Sequence, residues 1–222
     1  MNVDLIAKQN QIGQTPWGVY MFISYKASLV DYFIKDLEEG KLMFQKCGGE
    51  ITCISRELHE IEGKWKRDMV IAVLWFPDVA RAQKWLINDP IAQSPDWLEG
   101  AEIVVLPIAK EPPSEKKMFL FIDLEIHDAA KFHQYMETLQ PSLEDVGCTP
   151  TVVVTPTPVN SRGDQWVPRF VVVHQWDNME NFNNFYNSEE YRPLKDLRHS
   201  CAQSNMVLFS NDVSIATQAS PS

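Results

Sequence analysis

The chain of 222 residues repeats itself once. Trp65 and Trp75 recur as Trp166 and Trp176, in each case 101 residues later, and Cys47 recurs as Cys148 at the same spacing. Around these anchors Met69-Val-Ile-Ala-Val-Leu-Trp75 lies over Phe170-Val-Val-Val-His-Gln-Trp176. Upstream, Met21-Phe-Ile23 lies over Leu120-Phe-Ile122 and Phe33 over Phe132, and downstream Ile103-Val-Val-Leu106 lies over Met206-Val-Leu-Phe209. Coincidences in one consistent order argue for an internal duplication. A period near 100 residues marks two domain-sized copies rather than the short units of a solenoid.

The copies divide the chain. Residues 1–15 are polar and aperiodic and read as a tail, 16–107 as the first copy, 118–211 as the second, and 212–222 as a second tail. Between the copies, 108–117 carries adjacent prolines and charges that continue neither strand nor helix, and so reads as the linker. In each copy a short apolar strand opens the unit (Val19–Tyr25; Met118–Ile126). A helix follows, with Ser28 or Asp128 as its cap and Phe33, Leu37 and Phe44, or Phe132, Met136 and Leu139, on its apolar face. Gly48 and Gly147 are stop signals. Two strands (Ile51–Ser55 and Met69–Trp75; Thr151–Thr155 and Phe170–Trp176), a second helix and a closing strand complete the order βαββαβ.

That order is the ferredoxin-like pattern, α+β, in which both helices cover one face of an antiparallel sheet. The third strands are almost continuously apolar, as strands buried on both faces are. The bare face of each sheet therefore needs a cover, and a duplicated chain carries its own. The expected architecture is two repeats packed sheet to sheet as an intrachain, pseudo-dimeric α/β barrel.

Composition removes several function classes. With 20 Lys+Arg against 30 Asp+Glu the formal charge is −10, the opposite of a nucleic-acid footprint. No apolar run reaches the roughly 18 residues needed to span a bilayer, and the first ten residues lack a secretory apolar core. Four cysteines are too few for a disulfide scaffold, so a reducing cytoplasm is the expected compartment. The five histidines and four cysteines show no metal-binding spacing, so no metal site is expected.

The residues resemble the dimeric alpha/beta-barrel superfamily, and within it the bacterial domains of unknown function called DUF thirteen-thirty. The first copy carries Glu62-Gly63-Lys64-Trp65, Arg67 and Phe76-Pro77; the second carries Gly163, Trp166, Arg169, the stretch Phe185-Tyr186-Asn187-Ser188-Glu189-Glu190-Tyr191, and Arg198. The first copy lacks the Ser-x-Glu-Tyr stretch and the second lacks Glu-Gly. The resemblance implies the fold. The wider superfamily includes cofactor-free monooxygenases, cyclases and isomerases, and haem-binding enzymes, so haem is an alternative the resemblance implies, with no cofactor as the first reading.

Candidate chemistry concentrates in the second copy. First and third strands of this pattern are neighbours, which brings Asp123 and Glu125 near His174 and Gln175; a carboxylate beside a histidine in an apolar surround suits acid–base work. Alternation puts Asp123 and Glu125 on one face with Phe119 and Phe121, and His174 with Val172 and Trp176. The sequence reading is a small-molecule-binding protein; if it is an enzyme, it is a cofactor-independent one of acid–base cyclisation, isomerisation or oxygenation acting on a largely apolar aromatic or polyketide-like molecule. His174 is the acid or base, Asp123 or Glu125 its orienting partner, and Arg198 and Arg169 anion stabilisers, with Gln175, Tyr191 and Trp176 lining the ligand. The first copy is scaffold. The alternative is a non-catalytic carrier or assembly module. Expected partners are a small organic molecule, with neither nucleic acid nor membrane, in a monomer or a homodimer.

Overall fold

The computed structural model describes residues 16–88, 100–113, 115–116, 118–155, 160–162 and 168–212. Both expected tails, apart from Asp212, and Trp166 fall outside these residues. The first half runs β1 (Val19–Lys26), a 3-10 turn (Ala27–Leu29), α1 (Val30–Glu39), α2 (Lys41–Lys46), β2 (Glu50–Ile54), β3 (His59–Glu62), β4 (Met69–Phe76), α3 (Val79–Asn88) and β5 (Glu102–Pro107). The second runs β6 (Met118–Ile126), α4 (Ala129–Glu144), β7 (Cys148–Thr155), β8 (Asn160–Arg162), β9 (Val171–Trp176), α5 (Met179–Tyr186), α6 (Arg192–His199) and β10 (Ala202–Ser210).

The protein is α+β with two antiparallel sheets, ordered β2-β4-β1-β5-β8 and β3-β10-β6-β9-β7. Alternation along each strand sorts side chains into three layers. Met21, Ile23, Phe33, Leu37 and Trp85 belong to a cluster between the first sheet and its helices, and Leu120, Ile122, Phe132, Trp176 and Phe182 to its counterpart in the second half. The third cluster joins the two sheets: Tyr20, Phe22, Val73 and Val104 from the first meet Phe119, Phe121, Val173 and Phe209 from the second. Across that layer Phe22 packs edge-on against Phe121 at 5.1 Å and Tyr20 against Phe119 at 6.0 Å. Each such ring removed from water contributes on the order of 1.5–3 kcal/mol.

Two short strands tie the halves together, and neither was foreseen. β3, from the first half, pairs with β10 of the second, while β8, from the second half, pairs with β5 of the first. Each half thus lends the other an edge strand, which satisfies backbone groups that an open sheet edge would leave exposed.

Local expectations were met unevenly. Asp128 caps α4 by accepting from the Lys131 N–H, and Gly48 and Gly147 take positive φ where their helices stop. Ser28 does not cap α1; it lies in the 3-10 turn, Leu29 occupies the cap without a side-chain bond, and Asp31 pairs with Arg56 instead. The equivalence of Trp75 with Trp176 is also corrected. Met21 pairs with Leu74 but its counterpart Leu120 pairs with His174, so Trp176 corresponds to Phe76, one residue on. Trp75 therefore packs against the layer between the sheets and Trp176 under the helices. A slip of one residue reverses the face.

Candidate functional site

The layer between the sheets changes character at one end. Along β1 the inward residues run Tyr20, Phe22, Ser24; along β6 they run Phe119, Phe121, Asp123. At that end lie two neighbouring cavities. One, of about 180 Å³, is lined by Ser24, Lys64, Trp65, Lys66, Glu102, Asp123 and Asn205. The other, of about 200 Å³, is lined by Gly63, Asp123, Glu125, Arg169, Gln203, Ser204 and Asn205. Asp123 and Asn205, cross-strand partners on β6 and β10, belong to both.

The turn after β3 builds one wall. Gly63 takes φ +73°, the left-handed region where a side chain is strained, and a Cβ there would stand 2.8 Å from the Ser204 carbonyl. The Lys64 N–H then donates to Asn205 Oδ1 at 3.2 Å and the Trp65 N–H to Glu60 Oε1 at 2.9 Å. Lys66 pairs with the buried Glu102. On the opposite side Arg169 donates its backbone N–H to Asp123 Oδ1 at 3.0 Å, and its guanidinium pairs with Glu125. Burial raises the Asp123 carboxyl above its ordinary value, and Glu125 adds to this; the Arg169 N–H and charge offset only part of it. A carboxyl so placed can hold or release a proton at less acidic pH than a free one.

Behind this mouth, Glu62 at the end of β3 inserts into the second half. Arg198, on α6 and 1% exposed, binds it with both terminal nitrogens, Nη1 to Oε2 at 2.7 Å and Nη2 to Oε1 at 2.6 Å. Ser204 and Tyr186 donate to the same carboxylate, and His199 Nε2 lies 3.1 Å from Oε1. Burial alone would raise Glu62, but the Arg198 hydrogen bonds and charge, with those of Ser204 and Tyr186, outweigh it and hold the carboxyl at about 2. Pro193 does not obstruct α6, because it falls in the first turn, where no donor is needed.

The expected site residues separate into groups. Asp123, Glu125 and Arg169 meet at the mouth. His174, Trp176 and Tyr191 line a different space, about 20 Å³ between the second sheet and its helices, walled by Tyr135, Phe185 and other apolar residues. Arg198 is engaged by Glu62, and Gln175 donates to the Lys116 carbonyl at 3.0 Å. His174 and Asp123 stand on opposite faces of the second sheet, so neither Asp123 nor Glu125 orients His174. That pairing is corrected: adjacent strands bring residues near in register, yet alternation still divides them by face. His174 is 3% exposed, burial lowers its pKa to about 4, and its Nε2 has no hydrogen-bond partner among the described residues.

Ser24, Lys64, Trp65, Lys66 and Glu102 of the first copy line the first cavity together with Asp123 and Asn205 of the second. Of these, the motif Glu62-Gly63-Lys64-Trp65 signalled only Lys64 and Trp65; nothing in it said that the turn would serve the other half's sheet. Haem does not fit the residues present: His174 borders only about 20 Å³ of space, and His59, His127, His133 and His199 are exposed. Among the described residues no group of three His, Cys, Asp or Glu could hold a metal ion, and no helix is long and apolar enough to cross a membrane.

The class these features define is an α+β protein of two antiparallel sheets packed across a common apolar layer. Residues 117–211 match the family described as Domain of unknown function (DUF1330). Similar solved structures include an anthrone oxidase-like protein (11% identity, 91% of this chain and 97% of that one, TM-score 0.48). A putative monooxygenase from Lactobacillus acidophilus (10%, 87% and 96%, 0.46) and a chlorite dismutase variant from Candidatus Nitrospira defluvii (11%, 92% and 95%, 0.47) are also similar. No curated protein matches the sequence.

Proposed function

We propose that this chain is a tandem duplication of a ferredoxin-like unit, with repeats at 16–107 and 118–211, that closes into a pseudo-dimeric barrel and binds a small polar organic molecule at its mouth. Asp123 is the proton-exchanging group there, and any reaction it serves is cofactor-independent proton transfer. The observation that carries this reading is that Asp123, a half-buried carboxyl with a raised pKa, walls both neighbouring cavities. Arg169, itself paired with Glu125, holds it in place through its backbone N–H, and Trp65 gives the ligand an apolar surface.

A screen of small acids, amines and hydroxy compounds by NMR tests the reading. Ligands should shift the amides of Lys64, Trp65 and Asn205, and Asp123→Asn should weaken their binding at least tenfold while leaving the unfolding midpoint in place. Hits indifferent to that substitution, or none at the mouth, would overturn it. A second reading, an apolar ligand beside His174, is favoured by His174 Nε2 and Trp176 Nε1, which have no partner among the described residues; it predicts shifts at Tyr135 and Tyr191 that His174→Phe removes.

A further inference from the structure

The charges of the mouth are not interchangeable. Lys66 is matched by Glu102 and Arg169 by Glu125 within the walls. Two charged groups remain to define the ligand. Lys64, an exposed residue that lines the first cavity, forms no ion pair among the described residues, its backbone N–H being held by Asn205. Asp123 borders the same cavity and accepts from the Arg169 backbone N–H, while the Arg169 guanidinium is engaged by Glu125. One cavity thus presents an uncommitted cation and an under-compensated carboxylate, with the Trp65 indole in the wall beside them.

From this arrangement we infer that the ligand of the mouth is a zwitterion, a small amino acid with an apolar side chain, whose carboxylate meets Lys64 and whose ammonium meets Asp123. This rests on the mouth being the binding site and adds the chemical class. A simple anion would satisfy Lys64 but face Asp123 and Glu102, a like-charge cost. A simple amine would satisfy Asp123 but leave Lys64 and Lys66 close by without gain. A molecule carrying both charges offsets both, and charge-assisted hydrogen bonds of this kind are about twice as strong as neutral ones. Size agrees. At about 30 Å³ per water, a space of about 180 Å³ corresponds to roughly six waters, the scale of a small aliphatic amino acid. Trp65 itself packs onto the apolar layer and lies edge-on to Phe121 at 6.1 Å, which gives the side chain an apolar wall.

The test uses three molecules of one skeleton with the full-length chain at pH 7: L-valine, isobutylamine, which lacks its carboxylate, and isovalerate, which lacks its amine. Affinities come from calorimetry, and the site from NMR shifts at Lys64, Trp65 and Asn205. Valine should bind at least tenfold more tightly than either half. Lys64→Met should bring valine down to the level of isobutylamine, and Asp123→Asn to the level of isovalerate, with unfolding midpoints of both variants confirming intact folds. If isovalerate equals valine the mouth is an anion site, and if isobutylamine equals it a cation site. Either result overturns the zwitterion while leaving the mouth a binding site. If none of the three shifts these residues, the amino-acid class is wrong, and whether the mouth binds anything is then decided separately by the wider screen for Asp123-dependent ligands.

Discussion

Replacing Glu62 by Gln keeps the shape of the side chain that links the halves and removes its charge. Arg198 is 1% exposed and its Nε has no partner among the described residues, so the substitution strands a buried guanidinium. Breaking one side of a buried, well-bonded pair costs about 3–5 kcal/mol, a large share of the roughly 5–15 kcal/mol that stabilises a domain. The pair should also write a pH dependence. Glu62 has a folded pKa of about 2, below its ordinary 4.5. Its contribution is therefore complete above the ordinary value and lost as pH falls through that value towards about 2. By linkage this is worth at most about 3 kcal/mol, and roughly 2 once partial solvent screening is allowed for. Urea unfolding followed by tryptophan fluorescence and far-ultraviolet circular dichroism at pH 7 and pH 3 measures both quantities. Glu62→Gln should lose about 3–5 kcal/mol at pH 7, in one transition that involves both halves, and should show a flatter acid limb. The double variant Glu62→Gln with Arg198→Met should recover most of the loss, because no unpaired buried charge remains. A cost below about 1 kcal/mol for the single variant, or a double variant that costs the sum of the singles, would refute the reasoning.

Three other perturbations follow from the same geometry. His174 is buried neutral with a folded pKa of about 4, below the ordinary 6.5; its stabilising contribution is present above the ordinary value and declines as pH falls from there through about 4. His174→Phe should therefore unfold with about 2 kcal/mol less loss between pH 7 and pH 5 than the parent chain, and equal losses would show that the histidine is not buried uncharged. Gly63→Ala forces a positive-φ residue to carry a Cβ against the Ser204 carbonyl, so it should cost about 1–3 kcal/mol and shift the NMR signals of Lys64 and Asn205; a neutral effect would mean the turn is not held as described. Binding of an amine-bearing ligand at the mouth should strengthen as pH rises through the raised Asp123 value, because the folded carboxyl ionises later than a free one, and in Asp123→Asn this dependence should vanish from calorimetric titrations.

Much of the architecture was legible locally. Alternation placed Phe119 and Phe121 on one face with Asp123, as the layer between the sheets has them, and the cap at Asp128 and the stops at Gly48 and Gly147 needed only their neighbours in the chain. The site was legible in pieces. Asp123, Glu125 and Arg169 were singled out and do come together, whereas His174, chosen as their partner, lies across the sheet from them. Glu62, Lys64 and Trp65 stood in a quoted motif, but a motif states which residues occur together in sequence and not which half they serve.

Periodicity and capping act over a few residues and leave a record at that range, so the main strands and helices and their apolar faces could be read from the chain itself. The tertiary structure alone decided three things: the one-residue offset that turns Trp75 and Trp176 to opposite faces, the reciprocal loan of β3 and β8, and the assembly of the mouth from both halves. Register depends on which strand lies alongside, and β3 and β8 are too short and polar to advertise a partner. Their pairing is set by the edges that the packed halves leave open.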